Sequence, residues 1–128
     1  MSLFEKLFGS SEDENKASKM EWKQLTDIGQ LDVIVEESNT KPVAIFKHST
    51  RCSVSRMALR HFESDFDLED KITPYFLDLL EHRDISNEIA TRFEVEHQSP
   101  QLILISRGKS IYDASHNSIE AEDLKRYL

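Results

Sequence analysis

Cys52 is the single cysteine of the chain, and its neighbours suit it to thiolate chemistry. It follows the apolar, β-like run Pro42-Val43-Ala44-Ile45-Phe46 and the polar stretch Lys47-His48-Ser49-Thr50-Arg51. A helix-like run from Ser53 to Phe66 leads away from it, with Val54, Met57, Ala58, Leu59 and Phe62 apolar. A thiol where a strand hands over to a helix meets the first helical N–H groups and the positive end of the helix dipole. Both favour the anionic, nucleophilic form. Ser55 stands where a dithiol redox motif would carry its second cysteine, so the motif reads Cys-x-x-Ser. A lone thiolate attacks a disulfide but cannot close an internal one, so a second thiol must release it from a mixed disulfide. Ser53 and Ser55 are the expected hydrogen-bond donors to the sulfur.

Around this thiol the chain places three basic residues, Lys47, Arg51 and Arg56, in an otherwise acidic sequence. Together they read as positive charge for an anionic ligand. His48, at the strand end, reads first as a structural hydrogen-bonding residue and second as a proton carrier. The other histidines, His61, His82, His97 and His116, lack ligand spacing, so no metal is expected.

The elements that must position Cys52 follow from periodicity and punctuation. Trp22 to Leu25 is a short strand candidate. Thr26 or Asp27 caps a helix through about Ser38, and Asn39-Thr40-Lys41-Pro42 is a turn. Val43 to Lys47 is a strand, and Ile72 to Leu80 is another apolar run. Asp84 caps a helix through Phe93. Gln101 to Ser106 is a strand, Arg107-Gly108-Lys109 a turn, and Ser110 to Ser115 the returning strand. Ser118 caps a last helix to Leu128. The order β-α-β-α-β-α-β-β-α describes a mixed α/β layer fold. Residues 1–19 read apart from residues 20–128, with Leu3, Phe4, Leu7 and Phe8 on one helical face and a polar linker after them.

With 128 residues, the chain is expected to form one domain without a disulfide or metal staple. A formal charge of −8 argues against a nucleic-acid partner, which clustered Lys and Arg would serve. One cysteine, no signal peptide and no membrane-length apolar run lead to the expectation of a reducing, cytoplasmic setting.

The residues Phe46-Lys47-His48-Ser49, Cys52-x-x-Ser55, Trp22-x-x-Leu25 and Ser99-Pro100-Gln101 together resemble the YtxJ family, the monothiol bacilliredoxins. The resemblance covers about residues 20–128 and implies a thioredoxin-like three-layer fold, a mixed sheet flanked by helices. It implies a cis Pro100 facing Cys52, with Ser99 offering its backbone to an extended ligand. It also implies bacillithiol as co-substrate, with no bound cofactor, and S-bacillithiolated proteins as partners. Many family members read Thr-Cys-Pro-x-Ser, whereas Arg51 and Ser53 flank the cysteine here and Thr50 lies one position back. No role is carried over for a threonine adjoining the sulfur. Bacillithiol bears a malate with two carboxylates, for which Arg51, Lys47 and Thr50, with Ser99 and Pro100, are the expected binding residues. Two other functions fit a lone cysteine on this fold. One is an iron–sulfur carrier of the monothiol glutaredoxin type. The other is a non-catalytic binding module with Cys52 as a small buried residue.

Overall fold

A computed structural model of the protein describes residues 20–128. The expected division at residue 19 falls at the edge of that range, and the amphipathic segment lies outside the described residues. Five strands form one sheet: β1 (Lys23–Gln24), β2 (Val43–His48), β3 (Thr73–Asp78), β4 (Gln101–Ser106) and β5 (Lys109–Ser115). Their order is β1-β3-β2-β4-β5. β1 and β2 run parallel to β3, β4 runs antiparallel to β2, and β5 antiparallel to β4. Three α-helices connect the parallel part: α1 (Gln30–Glu37), α2 (Ser53–Asp65) and α3 (Arg83–Phe93).

The central strands are apolar on both sides because helices cover both sheet faces. Side chains alternate along β2. Val43 and Ile45 join Leu31, Ile34, Ile85 and Ile89 of α1 and α3 in one core. Ala44 and Phe46 join Phe62 and Phe66, Leu124 and Met20 in the other. Trp22 closes the second core, packing on Phe62 at 5.9 Å while its indole N–H donates to Glu63 at 2.7 Å. The layered α/β architecture expected from the sequence is therefore present.

Three ends differ from the sequence reading. Asp84 does not cap α3, because the helix begins at Arg83 with His82 as N-cap and Asp84 lies inside the first turn. Asp27 does not cap α1. Its carboxylate accepts the Gly29 N–H in the preceding turn, and the helix begins at Gln30 with Gly29 as N-cap. The C-terminal segment forms short 3₁₀ turns at His116–Ser118 and Ala121–Tyr127 rather than an α-helix. Its buried residues Ala121 and Leu124 are three apart, which suits a three-residue turn.

Candidate active site

The site grows from the carboxyl end of β2. The chain leaves the sheet at His48, crosses Ser49, Thr50 and Arg51, and starts α2 with Cys52 as N-cap. Cys52 is extended there, with φ −108° and ψ 123°. Its carbonyl accepts the Arg56 N–H at 3.1 Å, and its own N–H donates to the Ser49 carbonyl at 3.2 Å. No side chain caps the helix, and its first turn holds no acidic residue. An anion at the Cys52 sulfur therefore meets the positive end of α2 without a competing carboxylate in that turn. The thiol is half-buried and unbridged.

Ser55 is fully buried. Its Oγ accepts the Ser49 N–H at 3.0 Å and pairs with His48 Nδ1 at 2.8 Å. These bonds tie the end of β2, the crossing and the first turn of α2 into one unit. Ser53 is exposed. Among the described residues neither serine hydrogen-bonds the Cys52 sulfur, which corrects the expectation that both stabilise a thiolate directly. Ser55 instead fixes where Cys52 stands, because its hydroxyl is already taken by the strand end. His48 has the structural hydrogen bond expected of it. Its ring also packs against Phe76 at 5.4 Å. Burial is the largest influence on His48 and holds its pKa below the usual 6.5, with Arg56 acting in the same direction. Asp78 and Glu63 oppose that shift.

The basic cluster does not survive intact. Lys47 is wholly buried, and its Nζ has no hydrogen-bond partner among the described residues. Burial pulls its pKa down from 10.5 to about 8. It pairs in register with Leu77 and Gln101 inside the sheet, so it does not offer surface charge to a ligand. Arg56 donates to the Thr50 carbonyl at 3.2 Å, which braces the crossing. Arg51 and Thr50 are exposed and line a cavity of about 340 Å³ with Asp78, Leu80, Glu81 and Arg83. Sequence reasoning missed Arg83, Asp78 and Glu81. They come from the end of β3, the following turn and the start of α3, and only folding gathers them beside the crossing.

Ser99-Pro100 is a cis peptide bond, as expected. Gln101, the next residue, pairs with Lys47, so Pro100 and the start of α2 share the carboxyl end of β2. The Pro100 carbonyl accepts the His116 N–H at 3.1 Å. Among the described residues no backbone bond engages Ser99, and its buried Oγ is also unpartnered. Gln101 secures this loop, donating to the Glu96 carbonyl at 2.9 Å and accepting the Gln98 N–H at 3.3 Å.

Known proteins share this fold. An oxidoreductase with a thioredoxin fold matches at 31% identity and a TM-score of 0.70, covering 81% of this chain and 90% of that one. Malassezia sympodialis thioredoxin matches at 20% identity and a TM-score of 0.65, covering 84% and 87% of the two chains. Fasciola hepatica thioredoxin matches at 14% identity and a TM-score of 0.62, covering 82% and 94%. The last two establish the thioredoxin fold alone. Among the described residues no helix is long and apolar enough to cross a membrane. The first neighbour and the family match support a thiol redox function. The model of the monothiol bacilliredoxin BrxC family matches residues 23–124, and the chain belongs to that family.

Proposed function

We propose that this protein removes bacillithiol from S-bacillithiolated proteins by a one-cysteine mechanism. The Cys52 thiolate attacks the bacillithiol sulfur of the mixed disulfide. A bond forms between Cys52 and bacillithiol, and the substrate protein leaves as a thiolate that takes a proton from solvent. A second bacillithiol thiolate then attacks the Cys52 adduct. Cys52 returns to its thiolate, and the two small thiols leave as bacillithiol disulfide. The observation that carries this reading is Cys52 as the N-cap of α2, half-buried, with an uncapped helix start and no second thiol in the chain. Arg51, with Thr50 and the neighbouring Arg83, supplies positive charge and hydrogen bonding for the malate of bacillithiol. Ser99 beside Pro100 offers free backbone groups to an extended ligand. A thiol pool is needed for turnover, which fits a reducing compartment such as the cytoplasm.

Mass spectrometry of the protein after mixing with an S-bacillithiolated substrate tests this directly. The expected result is a bacillithiol adduct on Cys52 and release of reduced substrate, with neither seen for Cys52→Ser. Transfer by Cys52→Ser at the parent rate would overturn the proposal. A brown, oxygen-labile protein on anaerobic purification would favour the iron–sulfur carrier instead.

A further inference from the structure

Helical spacing brings His61 and Asp65 to one face of α2, four residues apart, toward its carboxyl end. The chain returns to that face at Glu120, just before the last 3₁₀ turn. His61 Nε2 lies 3.0 Å from Glu120 Oε1 and 3.7 Å from Asp65 Oδ2. One donor atom from each residue falls within 4.8 Å of the others. Two ligands on a tetrahedral zinc ion with bonds of about 2.0–2.2 Å sit about 3.4 Å apart. The two measured separations bracket that value.

Charge points the same way. Neither Asp65 nor Glu120 pairs with a lysine or arginine among the described residues, and both carboxylates face His61 Nε2. Asp65 Oδ2 is the carboxylate oxygen turned toward His61, and the Ser64 hydroxyl donates to the His61 carbonyl at 3.1 Å. A cavity of about 260 Å³ opens beside the cluster, bordered by His61, Glu120, His116 and Met57. It leaves a coordination position open to solvent.

We propose that His61, Asp65 and Glu120 form a site for one divalent transition-metal ion, with zinc as the cation its donors suit best. One imidazole nitrogen and two carboxylate oxygens fit zinc, whereas magnesium prefers an all-oxygen octahedron. The ion takes the place of the Nε2 proton, which leaves to solvent, and water completes the shell. Bound there, it clamps the C-terminal 3₁₀ turn to α2, the helix that begins at Cys52. The sequence alone read no ligand spacing around His61, because the third donor is 59 residues away in the chain.

The test is a calorimetric titration of zinc chloride into the full-length Cys52→Ser protein, which removes the thiolate as a competing ligand. One ion per chain should bind with a dissociation constant in the micromolar range, and the melting temperature should rise with zinc. His61→Ala and Glu120→Gln should each weaken binding by tenfold or more. Both replace partly exposed side chains, and circular dichroism confirms that they fold. Magnesium chloride should give no binding in the same range. Absence of zinc binding at millimolar metal overturns the proposal, as does binding that both variants leave unchanged.

Discussion

Lys47 and His48 are adjacent in sequence, and strand alternation sends their side chains to opposite faces of the sheet. His48 faces Phe46, Phe76 and the start of α2, and Ser55 satisfies it. Lys47 faces the core beneath α3 and the loop before Pro100, and its ammonium has no partner among the described residues. The difference separates two uses of a buried basic group. On the α2 face, polarity is spent on geometry, because a bonded histidine and serine fix the cysteine's position. On the α3 face, a buried lysine lowers stability whenever it carries its charge. Lys47 also influences its surroundings. Burial is the largest reason that the His97 pKa is held below 6.5, and the charges of Lys47 and Arg83 add to it.

The largest expected effect follows from removing the unpaired amine. Between about pH 8 and 10.5 the unfolded chain binds more protons at Lys47 than the folded one does, so this group makes stability rise with pH. Below about pH 8 its cost is fully present, at most about 3 kcal/mol. Lys47→Met should therefore stabilise the protein by about 1–3 kcal/mol at neutral pH. The gain should shrink toward pH 10. Tyr75 and Tyr112, both pushed up to about 12, act in the opposite sense above pH 10 and set the upper limit of a clean measurement. Urea unfolding of parent and variant at pH 7 and pH 9.5 checks this. A pH-independent difference would mean that Lys47 keeps its ordinary pKa in the folded protein, its ammonium charged and held by water or another bridging partner.

The α2 face should respond with the opposite sign. Ser55→Ala leaves the Ser49 N–H and His48 Nδ1 without their partner in a buried place. It should cost about 1–3 kcal/mol by the same unfolding assay. Transfer of bacillithiol should slow by about tenfold or less, since the hydroxyl positions the crossing and does not contact the sulfur. A variant of parental stability that has lost all transfer would place Ser55 in the chemistry itself and erase the contrast between the faces.

How much of this was legible depends on whether the signal was local. β4 appears with the bounds read from sequence, because Pro100 before it and the Arg107-Gly108 turn after it punctuate an unbroken apolar run. Gly108 adopts φ 77°, as a tight hairpin requires. The place of Cys52 was legible for the same reason, since a strand pattern stops and a helical one starts around it. Lys47 was not. It looked like the rim of its strand, but pairing with Gln101 and the loop folded over that residue carry burial one position further. Arg83 was likewise invisible as a neighbour of Arg51, because no spacing rule links the start of α3 to the crossing after β2.

A smaller effect tests His48 itself. Its folded pKa lies below 6.5, so in the window just below that value the unfolded chain binds more protons and stability falls as the solution is acidified. His97 acts with the same sign. NMR titration of the imidazole protons should give His48 a midpoint below 6.5, moving upward in Ser55→Ala as the pocket loosens and admits water. A midpoint above 6.5 would show Asp78 and Glu63 outweighing burial, and the α2 face would then carry a cation as the α3 face does.

The smallest expected effect lies at the surface, where Arg51 stands four residues from Lys47 but meets water. Its charge is screened, and an exposed ion pair is worth about 0.2–1 kcal/mol, so Arg51→Glu reverses a modest attraction. The bacillithiol concentration needed to regenerate Cys52 should rise severalfold at low salt. The penalty should fade in 0.5 M sodium chloride. β-Mercaptoethanol, which has no carboxylate, should regenerate both proteins equally well. Arg83 on the far wall of the same cavity supplies part of the charge complement, so the loss should be partial. Equal losses for both thiols would assign Arg51 to the reactivity of Cys52 rather than to recognition. Lys47→Met, by contrast, should leave the bacillithiol requirement unchanged, because a buried ammonium cannot pair with a malate at the surface. A rise with Lys47→Met as large as that with Arg51→Glu would mean that the loop before Pro100 opens to admit the ligand.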